Sequence, residues 1–388
     1  MTLYNIVAAT NEATVVAECP PNPYRSDSYQ SEADLEREFI RQLEEQGYEF
    51  IQIHGETTLV NNLRVQLEAL NHIRFSDAEW ERFYTEKIAN AREGITEKTF
   101  KIQQDFVQLL RRDDDSVVNV RLIDKSNIHN NRLQVLNQYE APSGKYASRY
   151  DVTILVNGFP MVHVELKRRG VALREAFNQI NRYSRESFWS GSGLFDYVQL
   201  FIISNGTHTK YYSNTTRQKH LDDQKPGSIP SGKKGSHSFE FTNFWADSAN
   251  RVIPDLVDFT RTFFAKHTLL NILTRYCVFN AQNELLVMRP YQIAATERIL
   301  NRIITSSNMH KTGTLDAGGY IWHTTGSGKT LTSFKTAQLA TSIPGINKVL
   351  FVVDRKDLDY QTMQEYDKFQ QGAANGNTST RELQKQLE

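Results

Sequence analysis

Three observations place this chain in the α/β class, arranged as two consecutive units. From about residue 117, short stretches alternate apolar and polar side chains: VVNVRLI, YDVTILV, MVHVELK, YVQLFIIS and THTKYYS. A strongly helical segment at about 171–188 sits between the third and fourth of them. Further on, an apolar stretch runs through a Gly-rich turn into a helix starting Thr330-Leu331-Thr332, which opens a second strand-turn-helix unit. Period-two alternation marks half-buried strands and a 3.6-residue period marks helices, so both kinds of element are predicted. At 388 residues the chain exceeds one typical domain, and two or three units of about 100–200 residues are expected.

Residues 1–30 are polar and broken by Cys19-Pro20-Pro21-Asn22-Pro23, which reads as an irregular lead-in. The first unit is predicted over 31–260. It opens with a helix: Ser31 to Asp34 fits a capping box, Leu35, Phe39, Ile40 and Leu43 repeat at helical spacing, and Gly47 suits the C′ position. Residues 60–115 are predicted largely helical, ending in Arg111-Arg112-Asp113-Asp114-Asp115 as a solvated turn. Residues 213–238 are rich in Gly, Ser and Lys without periodicity and read as an exposed loop, whose basic residues could touch DNA phosphates. A helical segment around 252–273 follows, with 261–284 as a linker helix region and 285–388 as the second unit.

Composition narrows the chemistry. With 39% hydrophobic and 23% charged residues the chain reads as soluble, and no run of about 18 apolar residues is present to cross a bilayer. The start MTLYNIVAATNEATVV lacks the pattern of a signal peptide, so a cytoplasmic location without membrane partners is predicted. Cys19 and Cys277 are too few and too far apart for a disulfide framework or a Cys-rich zinc site, which leaves oxygen ligands for any metal. Basic and acidic residues balance at 45 each, so positive charge for nucleic acid must be local.

The most informative stretch is Tyr150-Asp151-Val152-Thr153-Ile154-Leu155-Val156-Asn157-Gly158-Phe159-Pro160-Met161-Val162-His163-Val164-Glu165-Leu166-Lys167. Asn-Gly between two alternating runs signals a hairpin. Val152, Ile154, Val156, Val162, Val164 and Leu166 then share an apolar face. Asp151, Thr153, His163, Glu165 and Lys167 share the other, which is expected to be the wet one. A fold about Gly158 sets Asp151 opposite Glu165, within a slip of one or two residues. Two opposed carboxylates repel unless a cation lies between them. Asp151, Glu165 and the Leu166 carbonyl offer oxygen ligands suited to Mg²⁺, and Lys167 could activate water and stabilise charge on a scissile phosphate. The plainer alternative is a polar strand face with ordinary salt bridges.

In the second unit, Gly319-Tyr320-Ile321-Trp322-His323 is predicted as a short strand leading into Thr324-Thr325-Gly326-Ser327-Gly328-Lys329-Thr330. This is a phosphate-loop pattern. Gly326 and Gly328 let backbone N–H groups of the loop, including Thr325 and Ser327, face a phosphate. Lys329 reaches the β and γ oxygens, and Thr330 ligates the Mg²⁺ carried by ATP. His323 stands where the usual first glycine would be. Lys348 to Val353 reads as a buried parallel strand.

Asp151 with Glu165-Leu166-Lys167 resembles the PD-(D/E)xK nuclease signature, although Tyr150 replaces its proline. Such nucleases have a central mixed sheet flanked by helices. Gln179 and Tyr183, four apart on the next helix after Glu175, match the Gln-x-x-x-Tyr extension of RecB-like nucleases and type I restriction subunits. The resemblance implies that they hold the carboxylates or the DNA backbone, and that Glu32 adds an acid near the metal. Its plainer role is a charge favouring the helix dipole. Arg289-Pro290-Tyr291-Gln292 resembles the adenine-reading element of superfamily 2 helicases, with Gln292 on the base edge, and makes 285–388 the opening of a RecA-like lobe. Asp354, Arg355 and Lys356 would stand at its DNA-backbone contact.

In this order the motifs are similar to those of the restriction subunit of type I restriction-modification enzymes across nearly the whole chain. That likeness implies ATP-driven translocation on double-stranded DNA, Mg²⁺-dependent cleavage of unmodified DNA, and partnership with methyltransferase and specificity subunits. A repair helicase-nuclease of the RecB kind is disfavoured because its nuclease follows the motor. A non-catalytic DNA-binding or assembly module remains the alternative from another class. Since 59 residues follow Lys329, the acidic Mg²⁺ ligand and second lobe that a RecA-like motor needs are not expected within the 388 residues, and ATP turnover by them is expected to be poor.

Overall fold

A computed structural model describes residues 5–6, 17–18, 30–141, 148–186, 193–216, 241–353, 356–376 and 379–387. In the lead-in, β1 (Asn5–Ile6) pairs antiparallel with β2 (Ala17–Glu18). Helix α1 (Glu32–Glu45) opens where Ser31 Oγ accepts from Asp34 N at 3.1 Å. It ends just before Gly47, whose φ of +84° supplies the left-handed step a helix exit uses. Leu35, Phe39, Ile40 and Leu43 are buried along one stripe.

Helices α2 (Glu56–Asn71), α3 (Asp77–Phe83) and α4 (Ile95–Gln103) fill most of the stretch expected to be helical. Its end differs. Val107–Arg111 is strand β4, paired antiparallel with β5 (Val117–Arg121), and the charged run forms the turn between them. The partner strand explains the difference. A hairpin ladder satisfies these backbone groups, and Arg111 closes the turn onto Asp115 at 2.6 Å.

The centre is a six-stranded mixed sheet in the order β10, β9, β8, β7, β6, β3. Its strands are β3 (Glu49–Phe50), β6 (Leu133–Ala141), β7 (Ser148–Val156), β8 (Phe159–Leu166), β9 (Leu200–Ser204) and β10 (Thr209–Ser213). β3–β6 and β8–β9 run parallel, while the other neighbours are antiparallel. The parallel β8–β9 step needs a crossover, and α5 (Leu173–Glu186) lies within it. β6 escaped the sequence reading. Gln138 sits at φ +51° and breaks the alternation, and it joins Asn137 in donating to the buried Glu36 carboxylate at 2.6 and 2.5 Å.

The hairpin folds with Val152 opposite Val164, Thr153 opposite His163 and Ile154 opposite Val162. This is the register expected about Gly158. Nearer the turn the ladder slips, pairing Leu155 with Pro160 and leaving Met161 as the extra residue of a bulge. Asn157 and Gly158 both have positive φ, 52° and 84°, as a tight primed turn demands. The second hairpin face is not wet. Every residue of β8 is buried, and Thr153, His163 and Glu165 are fully so. The hairpin lies mid-sheet and its polar face is roofed by aromatics: Phe177 of α5 abuts Tyr212, which stacks on Phe201, which in turn abuts His163.

One hydrophobic core extends from Leu35 to Ala294. It takes in Phe263, Phe264, Leu269 and Leu273 from the stretch expected as a linker helix region. Helices Leu256–Thr262 and Lys266–Thr274 follow a short strand, Val252–Ile253. Beyond it come helices Pro290–Asn308, Lys329–Ala340, Lys356–Phe369 and Thr380–Leu387. The two strands predicted in this region are not formed. Residues 319–324 and 348–353 carry no strand, and Trp322 and Val352 are 87% and 77% exposed. A parallel strand is held by ladder bonds to neighbours, and among the described residues neither stretch has one. No helix among the described residues is long and apolar enough to cross a membrane.

Candidate functional site

Strand alternation and register deliver Asp151, Glu165 and Lys167 to one place. Asp151 Oδ2 accepts from the Leu166 amide at 2.9 Å, which ties the end of β7 to the end of β8. Lys167 Nζ donates to Glu165 Oε1 at 3.2 Å and to the Leu166 carbonyl at 3.0 Å, and it lies 3.7 Å from Glu32 Oε2 on α1. Glu165 Oε2 is buried and accepts no hydrogen bond, although His163 Nε2 stands 3.5 Å away. Thr153 Oγ1 lies 3.5 Å from the other nitrogen of that ring. Tyr150, which replaces the signature proline, is fully buried with its ring against His163 and Phe195.

Electrostatics follow from burial. Loss of water pushes Asp151 up to about 8, with the neighbouring charge of Glu165 adding to the rise and the Leu166 amide and Lys167 opposing it. Burial likewise pushes Glu165 up to about 7, against the pull of Lys167. Adjacent carboxylates raised in this way hold a proton near neutrality unless a cation replaces it.

The donor set fits a hard divalent cation. Asp151, Glu165 and the Leu166 carbonyl are all oxygen ligands, and the bare Glu165 Oε2 is an acceptor without a donor. Among the described residues no group of three His, Cys, Asp or Glu side chains is arranged to hold a metal, so water would have to complete the shell. Lys167 Nζ bonds two of these groups, Glu165 Oε1 and the Leu166 carbonyl.

Of the accessory residues, Glu32 reaches the site through Lys167 with half its side chain exposed. Gln179 lies on α5, partly buried. Tyr183 is on the same helix, and its side chain lies outside the described residues, as do Asp354, Arg355, the side chain of Lys356 and most of the 213–238 loop.

Around the phosphate loop, Gly326 and Gly328 take φ of +77° and +79°, which supplies the predicted backbone turn. Lys329 Nζ donates to the Thr324 carbonyl at 3.2 Å, and His323 Nδ1 lies 3.0 Å from Ser327 Oγ. Gln292 accepts from Arg289 N at 2.8 Å, while its Nε2 donates to the Ser327 carbonyl at 3.0 Å. Tyr291 OH donates to the same carbonyl at 2.9 Å. The Arg-Pro-Tyr-Gln element is thus bolted to the loop.

Residues 29–220 match the family described as type I restriction enzyme R protein N terminus, and residues 291–388 match the SWI2/SNF2 ATPase family. The chain is 49% identical over 311 residues to the type I restriction enzyme EcoprrI endonuclease subunit of Escherichia coli, an alignment covering 79% of this chain and 94% of that relative. The chain belongs to the family of type I restriction enzyme endonuclease subunits. Within this family, the SsaAORF53P endonuclease subunit of Staphylococcus saprophyticus is 40% identical over 92% of this chain, and the chain spans about a third (35%) of its length. The MjaIXP endonuclease subunit of Methanocaldococcus jannaschii, a putative type I restriction enzyme subunit, is 25% identical over 62% of the chain.

Two neighbours of these sites were not singled out by sequence. Glu36, one helical turn after Glu32, anchors β6 through Asn137 and Gln138, and that spacing was its only signal. Tyr211 lies among alternating strand residues and becomes visible only through packing between the sheet and the loop.

Proposed function

We propose that this chain carries the nuclease and nucleotide-binding parts of a restriction subunit that cuts double-stranded DNA with Mg²⁺ and uses ATP to move along it. Methyltransferase and specificity subunits would supply recognition of unmodified sites. The observation that carries the nuclease reading is that Glu165 and the Leu166 carbonyl share one ammonium, with Asp151 tied to the Leu166 amide beside them and Glu165 Oε2 left without a hydrogen bond.

Asp151, Glu165 and Leu166 would hold the cation. When bound, Mg²⁺ supplies positive charge beside the scissile phosphate and makes attacking water easier to deprotonate. Lys167 would stabilise the growing charge on the phosphate. Because burial raises both carboxyls, holding the cation would require Asp151 and Glu165 to be deprotonated. Gln179 and Tyr183, on the helix roofing this face, would keep the carboxylates or the DNA backbone in place. At the loop, Lys329 would exchange the Thr324 carbonyl for nucleotide phosphate, and Thr330 would face its Mg²⁺.

In the assembled restriction enzyme, Glu165→Ala and Lys167→Ala are expected to abolish DNA cleavage while ATP hydrolysis continues. Lys329→Ala is expected to abolish both. Cleavage that survived Lys167→Ala would remove the nuclease assignment. A purely structural hairpin would also show no Mg²⁺-dependent calorimetric signal sensitive to Asp151→Ala.

A further inference from the structure

Asp151 sits where the central sheet opens on both sides of its strand. Between β6 and β7 the register runs from Asn137 opposite Val152 to Tyr139 opposite Tyr150, and it passes over Gln138 and Asp151, which stand across from each other. Between β7 and β8 the pairing stops at Val152 opposite Val164, one residue short of Asp151. β8 keeps its own register there, because Glu165 and Leu166 retain their parallel partners Ile203 and Ser204 on β9. The departure therefore belongs to β7 and β6. In place of a ladder bond, the Asp151 side chain accepts from the Leu166 amide at 2.9 Å.

The neighbouring strand shows what opens the sheet. Gln138 has a φ of +51°, the left-handed region in which a residue with a Cβ is strained. Strain of this kind persists only where the surroundings enforce it, and it collects at functional sites. Glu36 of α1 enforces it. This carboxylate is 9% exposed, and its two oxygens accept from Asn137 Nδ2 at 2.5 Å and from Gln138 Nε2 at 2.6 Å. Consecutive side chains of a regular strand point to opposite faces, so one carboxylate collects both amides only if the backbone turns between them. The clamp and the turn are one device. Glu32, one helical turn before Glu36, lies 3.7 Å from Lys167 Nζ, so α1 meets the site at Lys167 and again at the residue across from Asp151.

We infer that Glu36 and Gln138 are positioning residues for the nuclease centre: the clamp holds the left-handed turn at Gln138, and that turn parts β7 from its neighbours at Asp151 and leaves the carboxylate on the Leu166 amide, beside Glu165. The inference rests on the nuclease reading above and deepens it, since neither residue touches the cation or the DNA in this scheme.

In the assembled restriction enzyme, the Mg²⁺ concentration for half-maximal DNA cleavage is to be measured beside ATP hydrolysis and the melting temperature. Gln138→Val places a β-branched residue where positive φ is least tolerated, which straightens β6. It is expected to raise the Mg²⁺ requirement about tenfold or more, with ATP hydrolysis and melting temperature near those of the parent. Gln138→Gly loses the amide but takes positive φ freely, and is expected to keep the parent's Mg²⁺ requirement. If Gln138→Val cleaves at the parent's requirement, the inference is overturned. It is equally overturned if Gln138→Gly loses as much as Gln138→Val, because the amide and not the turn would then matter. Should Gln138→Val melt early, Glu36→Gln keeps the side chain's size and breaks the clamp; an unchanged Mg²⁺ requirement in that variant overturns the inference. Cleavage, ATP hydrolysis and melting temperature falling together in every variant would make the clamp a brace of the fold and overturn it as well. A parent enzyme without Mg²⁺-dependent cleavage would sink the nuclease reading itself.

Discussion

Glu165 has one oxygen on an ammonium and the other without a hydrogen bond, 3.5 Å from His163 Nε2, in a fully buried setting, and a charged carboxylate there is costly. Both Asp151 and Glu165 bind protons more tightly in the fold than in the unfolded chain. They therefore contribute stability that is present below the ordinary carboxylate range and is lost as pH rises towards about 7 and about 8. The cation-free chain is expected to melt at progressively lower temperature between about pH 5 and pH 8, each kcal/mol lost lowering the midpoint by roughly 2–4 °C. Mg²⁺ should flatten that slope, and its affinity should climb over the same interval because binding displaces protons. An Asp151→Asn, Glu165→Gln double variant should show neither effect. Thermal melts with and without Mg²⁺ at pH 5.5, 7 and 8.5 check this, and a slope of the opposite sign would remove the raised carboxyls from the account.

Element by element, the hairpin is both the scaffold of the site and the part best fixed by its own sequence. Its Asn-Gly turn sets the register, and a Cβ added at Gly158 would lie 2.7 Å from the Leu63 Cα of α2, at a φ that L side chains rarely adopt. Gly158→Ala is therefore expected to cost about 2 kcal/mol or more in urea unfolding, and to lower nuclease activity through a shifted Glu165. An unchanged midpoint would mean that the turn does not set the register. The legible parts share one property, that the information is local: a cap at Ser31, a turn at Asn157, a period of two along β7 and β8. What stayed hidden is long-range. β6 breaks its own alternation to serve Glu36 on α1, and the burial of His163 depends on Phe201 and Tyr212, which are brought in by a crossover. Alternation can sort Asp151 and Glu165 onto one face, but whether that face meets water or a helix is decided by residues far along the chain.

Across the whole molecule, the two ends of the chain differ in how completely their apolar residues are covered. The sheet and its helices share one core up to Ala294, whereas beyond that residue Phe334 and Tyr366 gather with Val278 in a small separate cluster. Tyr320, Trp322, Leu350, Phe351 and Val352 are exposed in stretches that carry neither helix nor strand. Their apolar composition is what a buried parallel strand needs, and composition alone cannot say whether neighbours are at hand. Segments with few buried contacts and no ladder bonds open at little free-energy cost. Limited chymotrypsin digestion of the 388-residue chain is expected to cut first after Tyr320, Trp322 or Phe351, leaving a resistant piece that retains the central sheet. ATP should slow the cuts at Tyr320 and Trp322, which flank the loop, far more than the cut at Phe351. Primary cleavage within β6 to β9 would show that the sheet is the weaker body and would reverse this ordering of stability.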